Sequence, residues 1–180
     1  MSKSPKPEPA SDAVALSSLR FGWWALGISL SLGLVLEVLH GFKIGWYLDV
    51  GNEIRRLMLT LAHTHGTLLA LVNIAAGVSA KVFGAAILPA RAAGAVRLAA
   101  ILMPIGFLLG GIVIHDGDPG LRVLLVPVGG FLLVYGVAAI AIAVNRSRGG
   151  GNPHPKKPWR PDMGGGVGPP SSPAGKPTPR

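Results

Sequence analysis

Four stretches of the chain run almost without polar interruption: Phe21 to Leu39, Leu57 to Ala80, Leu98 to Ile114 and Val123 to Val144. A helix packed in water shows polar positions every three or four residues along its outer face. Here Glu37 is the only formal charge in the four stretches together. Crossing a hydrocarbon core of about 30 Å takes roughly 20 helical residues at about 1.5 Å each. The third stretch is the shortest, and it reads as extending back through Ala92, with Arg97 snorkelling to the interface. The pattern predicts an all-α protein, an integral membrane four-helix bundle with helices over about 21–40, 56–80, 94–115 and 122–145.

The two ends are a different material. Residues 1–20 read as a disordered arm, and 146–180 as a disordered tail rich in Gly and Pro with a basic cluster in "PHPKKPWRP". Such composition buries too little apolar surface to offset its ordering entropy. The tail's expected partners are anionic lipid headgroups, with a PxxPxxP docking role over 155–161 as the alternative. The first apolar segment follows about twenty mostly polar residues and runs into "EVLHGFKIGW" without a small-residue cleavage site, so it is expected to stay in the protein.

Composition agrees with a lipid environment: of 180 residues 49% are hydrophobic and 14% charged. There is no cysteine, which excludes disulfides, thiolate metal ligands and thiol nucleophiles. No phosphate-cradling glycine loop or serine triad is present, and the net charge of +9 comes largely from the tail. The bilayer is the expected partner, and nucleic acid is not.

Lys and Arg are unevenly shared: 13 of the 17 fall on the arm, the loop around 81–97 and the tail. The positive-inside rule then makes both termini cytoplasmic. It follows that the first and third helices leave the membrane on the outer side, at His40 and His115. The second helix enters there near Arg56, which sets His63 and His65 about 10 to 14 Å below the outer boundary at about 1.5 Å per residue. Asp49, Glu53, Asp116 and Asp118 belong to the outer loops, so the ionisable groups gather in one half of the membrane.

Glu37 and His40 stand three residues apart, hence on one helix face. Arg56, Thr60, His63 and Thr67 recur at offsets of four, three and four, a polar stripe on the second helix. His65 is about 200° from His63 at about 100° per residue, so a regular helix aims only one of them at a shared centre, and the stripe favours His63. Ionisable groups within a membrane helix suggest a functional site. His40, His63, His65 and His115 are therefore candidate haem ligands, and Glu37, His40, His63 and His115 candidate ligands of a transition metal ion. A proton relay through the same groups is a further reading. The bland alternatives are interfacial side chains for Glu37, His40 and His115 and an interhelical hydrogen bond for His63.

The segment "AHTHGTLLALVN", Ala62 to Asn73, resembles the "AHxHxxLLG" helix of small bacterial membrane proteins related to the catalytic subunit of haem–copper oxidases and nitric oxide reductases. The resemblance covers about a dozen residues. It implies His63 and His65 as haem or metal ligands, a redox role connected with the respiratory chain, and a bacterial inner membrane. The large oxidase subunits have about a dozen helices and an adjacent His-His pair that this chain lacks, so the resemblance implies a haem-associated or metal-associated module. The rival functions are a non-catalytic scaffold or assembly subunit beside other membrane subunits, and a small proton-coupled transporter.

Small residues at four-residue spacing, Ser29 with Gly33, Gly66 with Ala70 and Gly106 with Gly110, predict close helix packing. Pro104 predicts a kink in the third helix. Trp23, Trp24, Trp46 and Tyr47 fall near the predicted interfaces, as an aromatic belt does.

Overall fold

The structure, a computed structural model, describes residues 9–114 and 118–149. These residues form helices and no strand: α1 (Pro9–Gly41), a single turn α2 (Gly45–Leu48), α3 (Glu53–Phe83), α4 (Ala90–Ile112) and α5 (Leu125–Gly149). The shortest of the four long helices, α4, has 23 residues, about 34 Å at about 1.5 Å each, enough for a hydrocarbon core. All four are long and apolar enough to cross a membrane. Phe131, Ile28 and Leu34 are 78%, 68% and 67% exposed, and they belong to broad apolar faces that water would not tolerate. The protein is an all-α membrane bundle.

The bundle is open. α1 packs along α3, α3 along α4, and α4 along α5, while α1 touches α4 only lightly and has no comparable contact with α5. α3 and α4 supply most of the buried positions, and α1 and α5 stand at the ends of the row.

Close approach comes from small residues placed seven apart. On α1 the buried positions Ala15, Gly22, Ser29 and Leu36 repeat at that interval, and on α3 Leu59, Gly66, Asn73 and Ala80 do the same. This is the period of a left-handed seam, in which each helix keeps one stripe toward its partner. Glycines let the backbones meet: a Cβ at Gly22 would stand 3.0 Å from the Ala70 carbonyl oxygen, and one at Gly77 2.9 Å from that of Ala15. Gly136 on α5 meets Ala92 in the same way, at 3.1 Å from its carbonyl oxygen.

Several boundaries differ from the pattern-based ones. The arm expected to be disordered over 1–20 is helical from Pro9 onward. Proline suits a first helical turn, Asp12 stands favourably near the helix N-terminus, and its carboxylate accepts from Lys81 Nζ at 2.8 Å. Ala15 and Ser18 are buried, so this extension is part of the packed structure. α4 begins at Ala90 and continues unbroken through Pro104. α3 runs three residues past each expected end, while α5 starts at Leu125, after the expected 122, and ends at Gly149, past the expected 145. His115 and the basic tail lie outside the described residues.

α1 ends in a Schellman turn. Ile44 N–H donates to the Leu39 carbonyl at 3.0 Å and Lys43 N–H to the His40 carbonyl at 3.1 Å, with Lys43 at φ 52°. That turn sends the chain back over the bundle end and forms α2. Arg55 holds α2 there: its Nη1 donates to the Trp46 carbonyl at 2.8 Å, and its guanidinium lies 4.8 Å from the Trp46 ring centroid.

Candidate functional site

Between α1 and α3, at the end capped by α2, lies a groove of about 470 Å³. This falls in the size range of small-ligand sites, roughly 300 to 1,000 Å³. Glu37, His40, Tyr47, Thr60 and His63 line it among apolar neighbours from α1. Three of the residues singled out from the sequence, Glu37, His40 and His63, are thus brought to one place. His65 is not among the lining residues.

His63 is the most firmly oriented of them. Its ring is half-buried and lies against Gly33, where a Cβ would approach Nδ1 to 2.8 Å and Nε2 to 3.0 Å. Nδ1 stands 2.8 Å from the Ser29 carbonyl oxygen on α1. A carbonyl only accepts, so Nδ1 carries the proton and Nε2 is left with the free lone pair. A backbone carbonyl holding one ring nitrogen so that the other is presented is the arrangement of many metal-bound imidazoles. The same contact is the interhelical hydrogen bond foreseen for His63 as its structural role.

His65 faces elsewhere. Its Nδ1 donates to the Leu61 carbonyl one turn back at 2.9 Å, and its ring lies against Phe107 of α4, with centroids 4.8 Å apart. The two histidines of "AHTH" therefore serve opposite seams of α3, as the 200° separation requires.

Tyr47 is the residue that pattern reading misplaced. Assigned to an aromatic belt, it is only 5% exposed and presents its ring edgewise to His40, with centroids 6.5 Å apart and planes at 79°. Only the turn after α1 brings it inward, and a four-residue helix leaves no periodic signal. Trp23 and Trp24, by contrast, are 63% and 76% exposed, as belt residues are. On the other side of Tyr47 a second depression holds Glu53, Arg56 and Thr60, so the stripe Arg56, Thr60, His63 runs from the bundle end down into the groove. Thr67 continues the stripe with its hydroxyl buried and without a hydrogen-bond partner.

The opposite half of the bundle also carries polar groups that the sequence did not reveal. Asn73 is 1% exposed and donates from Nδ2 to the Leu69 carbonyl at 2.8 Å. Arg97 donates from Nη1 to Ser17 Oγ at 2.6 Å and from Nε to the Ala93 carbonyl at 3.3 Å. The side chain expected to snorkel outward thus ties α4 to α1.

No family model, curated protein or solved structure matches the chain. The site is read from its own geometry.

Proposed function

We propose that this membrane protein binds a haem in the groove between α1 and α3, which His63 would hold through its imidazole, and serves a redox role connected with a respiratory chain. The observation that carries the proposal is the tautomer of His63 set by the Ser29 carbonyl, which leaves the Nε2 lone pair available in a groove that Glu37 and His40 also line. His40 is the second imidazole, borne by the facing helix, the disposition used for haem in helical bundles.

The donor set favours a haem over a bare ion. A metal ion in a protein site takes three or more protein ligands, and among the described residues no three His, Asp or Glu side chains come together closely enough to hold one. A haem takes one or two imidazoles. Bound there, it would supply one-electron chemistry, while Glu37 and Tyr47 set the polarity around it.

The test is purification of the full chain from haem-replete cells, followed by absorption spectroscopy and elemental analysis. A Soret band with stoichiometric iron, abolished by His63→Leu and retained by His65→Leu, is the expected result. Stoichiometric metal without a Soret band would replace haem by an ion. Neither, in a folded protein, would sink the proposal.

A second reading, a non-catalytic subunit of a larger membrane complex, is favoured by the open row, in which α1 and α5 leave broad apolar faces uncovered. Crosslinking in native membranes distinguishes a partner protein from lipid at those faces.

A further inference from the structure

The light contact between α1 and α4 leaves a second cleft, unrelated to the histidines. It has about 390 Å³ and is lined by Phe21, Ile28, Ala62, Ala100, Pro104 and Leu108, with apolar side chains almost throughout. Trp24 and Ile28 form a rim that is 76% and 68% exposed, so the cleft opens where lipid would lie. Along α1 it runs from Phe21 to Leu32, about 16 Å at about 1.5 Å per residue, which matches one leaflet of a hydrocarbon core of about 30 Å.

One turn beyond Phe21 on α1, and one turn before Ala100 and Ile101 on α4, the Arg97 and Ser17 pair joins the two helices. Ser17 Oγ donates to the Val14 carbonyl at 3.0 Å, which turns its lone pairs toward the guanidinium. Of the five N–H donors of Arg97, two are used among the described residues, by Ser17 and the Ala93 carbonyl. The remaining donors form a fork suited to a phosphate.

We propose that this cleft binds an anionic phospholipid from the leaflet on the side of the chain termini, one acyl chain lying between α1 and α4 and the phosphate on Arg97. The length of the cleft, its opening toward lipid and the cation at one end agree on a single amphiphile in one orientation. Basic pockets between membrane helices bind acidic headgroups by the same means.

Native mass spectrometry of the full chain tests this, with phosphatidylglycerol and phosphatidylcholine of identical acyl chains added to the detergent-solubilised protein. The wild type should retain phosphatidylglycerol about tenfold better, the scale of one charge-assisted pair, because the phosphate of phosphatidylcholine is already offset by its own quaternary ammonium. Arg97→Gln should remove the preference, and Arg97→Lys should keep part of it. Ala100→Phe, which fills the cleft, should lower retention of both lipids. Arg20→Gln, an exposed cation on the same end of α1, should change nothing. Equal retention of the two lipids by the wild type, an equal loss in Arg20→Gln, or recovery of an isoprenoid quinone from the cleft would overturn the proposal. Circular dichroism of each variant separates loss of lipid from loss of fold; should Arg97→Gln not fold, Ser17→Ala and Ala100→Phe decide the matter.

Discussion

The imidazole of His63 occupies the place where Gly33 would carry a side chain. A Cβ there would stand 2.8 Å from Nδ1, tighter than packed atoms allow, and this ring is the one that donates to Ser29. Gly33→Ala should therefore push the ring aside, weaken the seam between α1 and α3 by about 1 to 3 kcal/mol and diminish haem binding. Gly27→Ala, on the same helix with nothing within 4 Å of the new methyl group, should be neutral or stabilise by up to about 1 kcal/mol. Thermal unfolding of both variants in one detergent checks the contrast, and equal effects would show that the Gly33 contact has no special role.

His65 should behave as a packing residue. His65→Leu keeps much of the volume against Phe107 and removes a hydrogen bond made only to its own helix, so the expected cost is below about 1.5 kcal/mol with no change in absorbance. His63→Leu should abolish the Soret band and cost about 1 kcal/mol through the lost interhelical bond to Ser29. A spectrum that responds equally to the two changes would refute the division of the pair.

The four helices were legible because each is a long apolar run almost without formal charge, a pattern that depends on length and composition alone. The start of α1 was not: "PASDAVALSS" mixes polar and small residues, and only packing against α3 shows that Ala15 and Ser18 face inward. The site was half legible. The 100° geometry separated His63 from His65, and counting crossings brought Glu37, His40 and His63 to one end. Tyr47 and Arg97 were assigned to the interface because composition gives depth along the membrane normal and says nothing about which neighbouring helix a side chain meets.

The unforeseen extension of α1 has its own test. Asp12 and Lys81 are 45% and 41% exposed, so Asp12→Asn should cost less than about 1 kcal/mol and the difference should shrink in high salt. A loss of several kcal/mol in melting experiments, unaffected by salt, would mean that Asp12 does more than pair with Lys81.

Ser18 offers the opposite sign. It is 1% exposed and its hydroxyl has no hydrogen-bond partner among the described residues, so it has lost solvation without a compensating bond there. Ser18→Ala should stabilise the protein by about 1 kcal/mol. A clear destabilisation would reveal a partner for that hydroxyl, a bound water above all.

Orientation is open to direct measurement because the chain has no cysteine, so a single introduced thiol is the only labelling site. Val50, between α2 and α3, is 85% exposed, and Phe83, at the far end of α3, is 75% exposed. They mark opposite ends of the bundle, since α3 runs its full 31 residues between them. With both termini cytoplasmic, as the distribution of Lys and Arg predicts, Val50→Cys should react with an impermeant maleimide in intact cells and Phe83→Cys only after permeabilisation. The reverse pattern would turn the protein over, placing the His63 groove toward the cytoplasm and the Arg97 cleft in the outer leaflet. The grouping of Glu37, His40 and His63 would survive that reversal, because it depends on the pairing of α1 with α3 and not on which face of the membrane they meet.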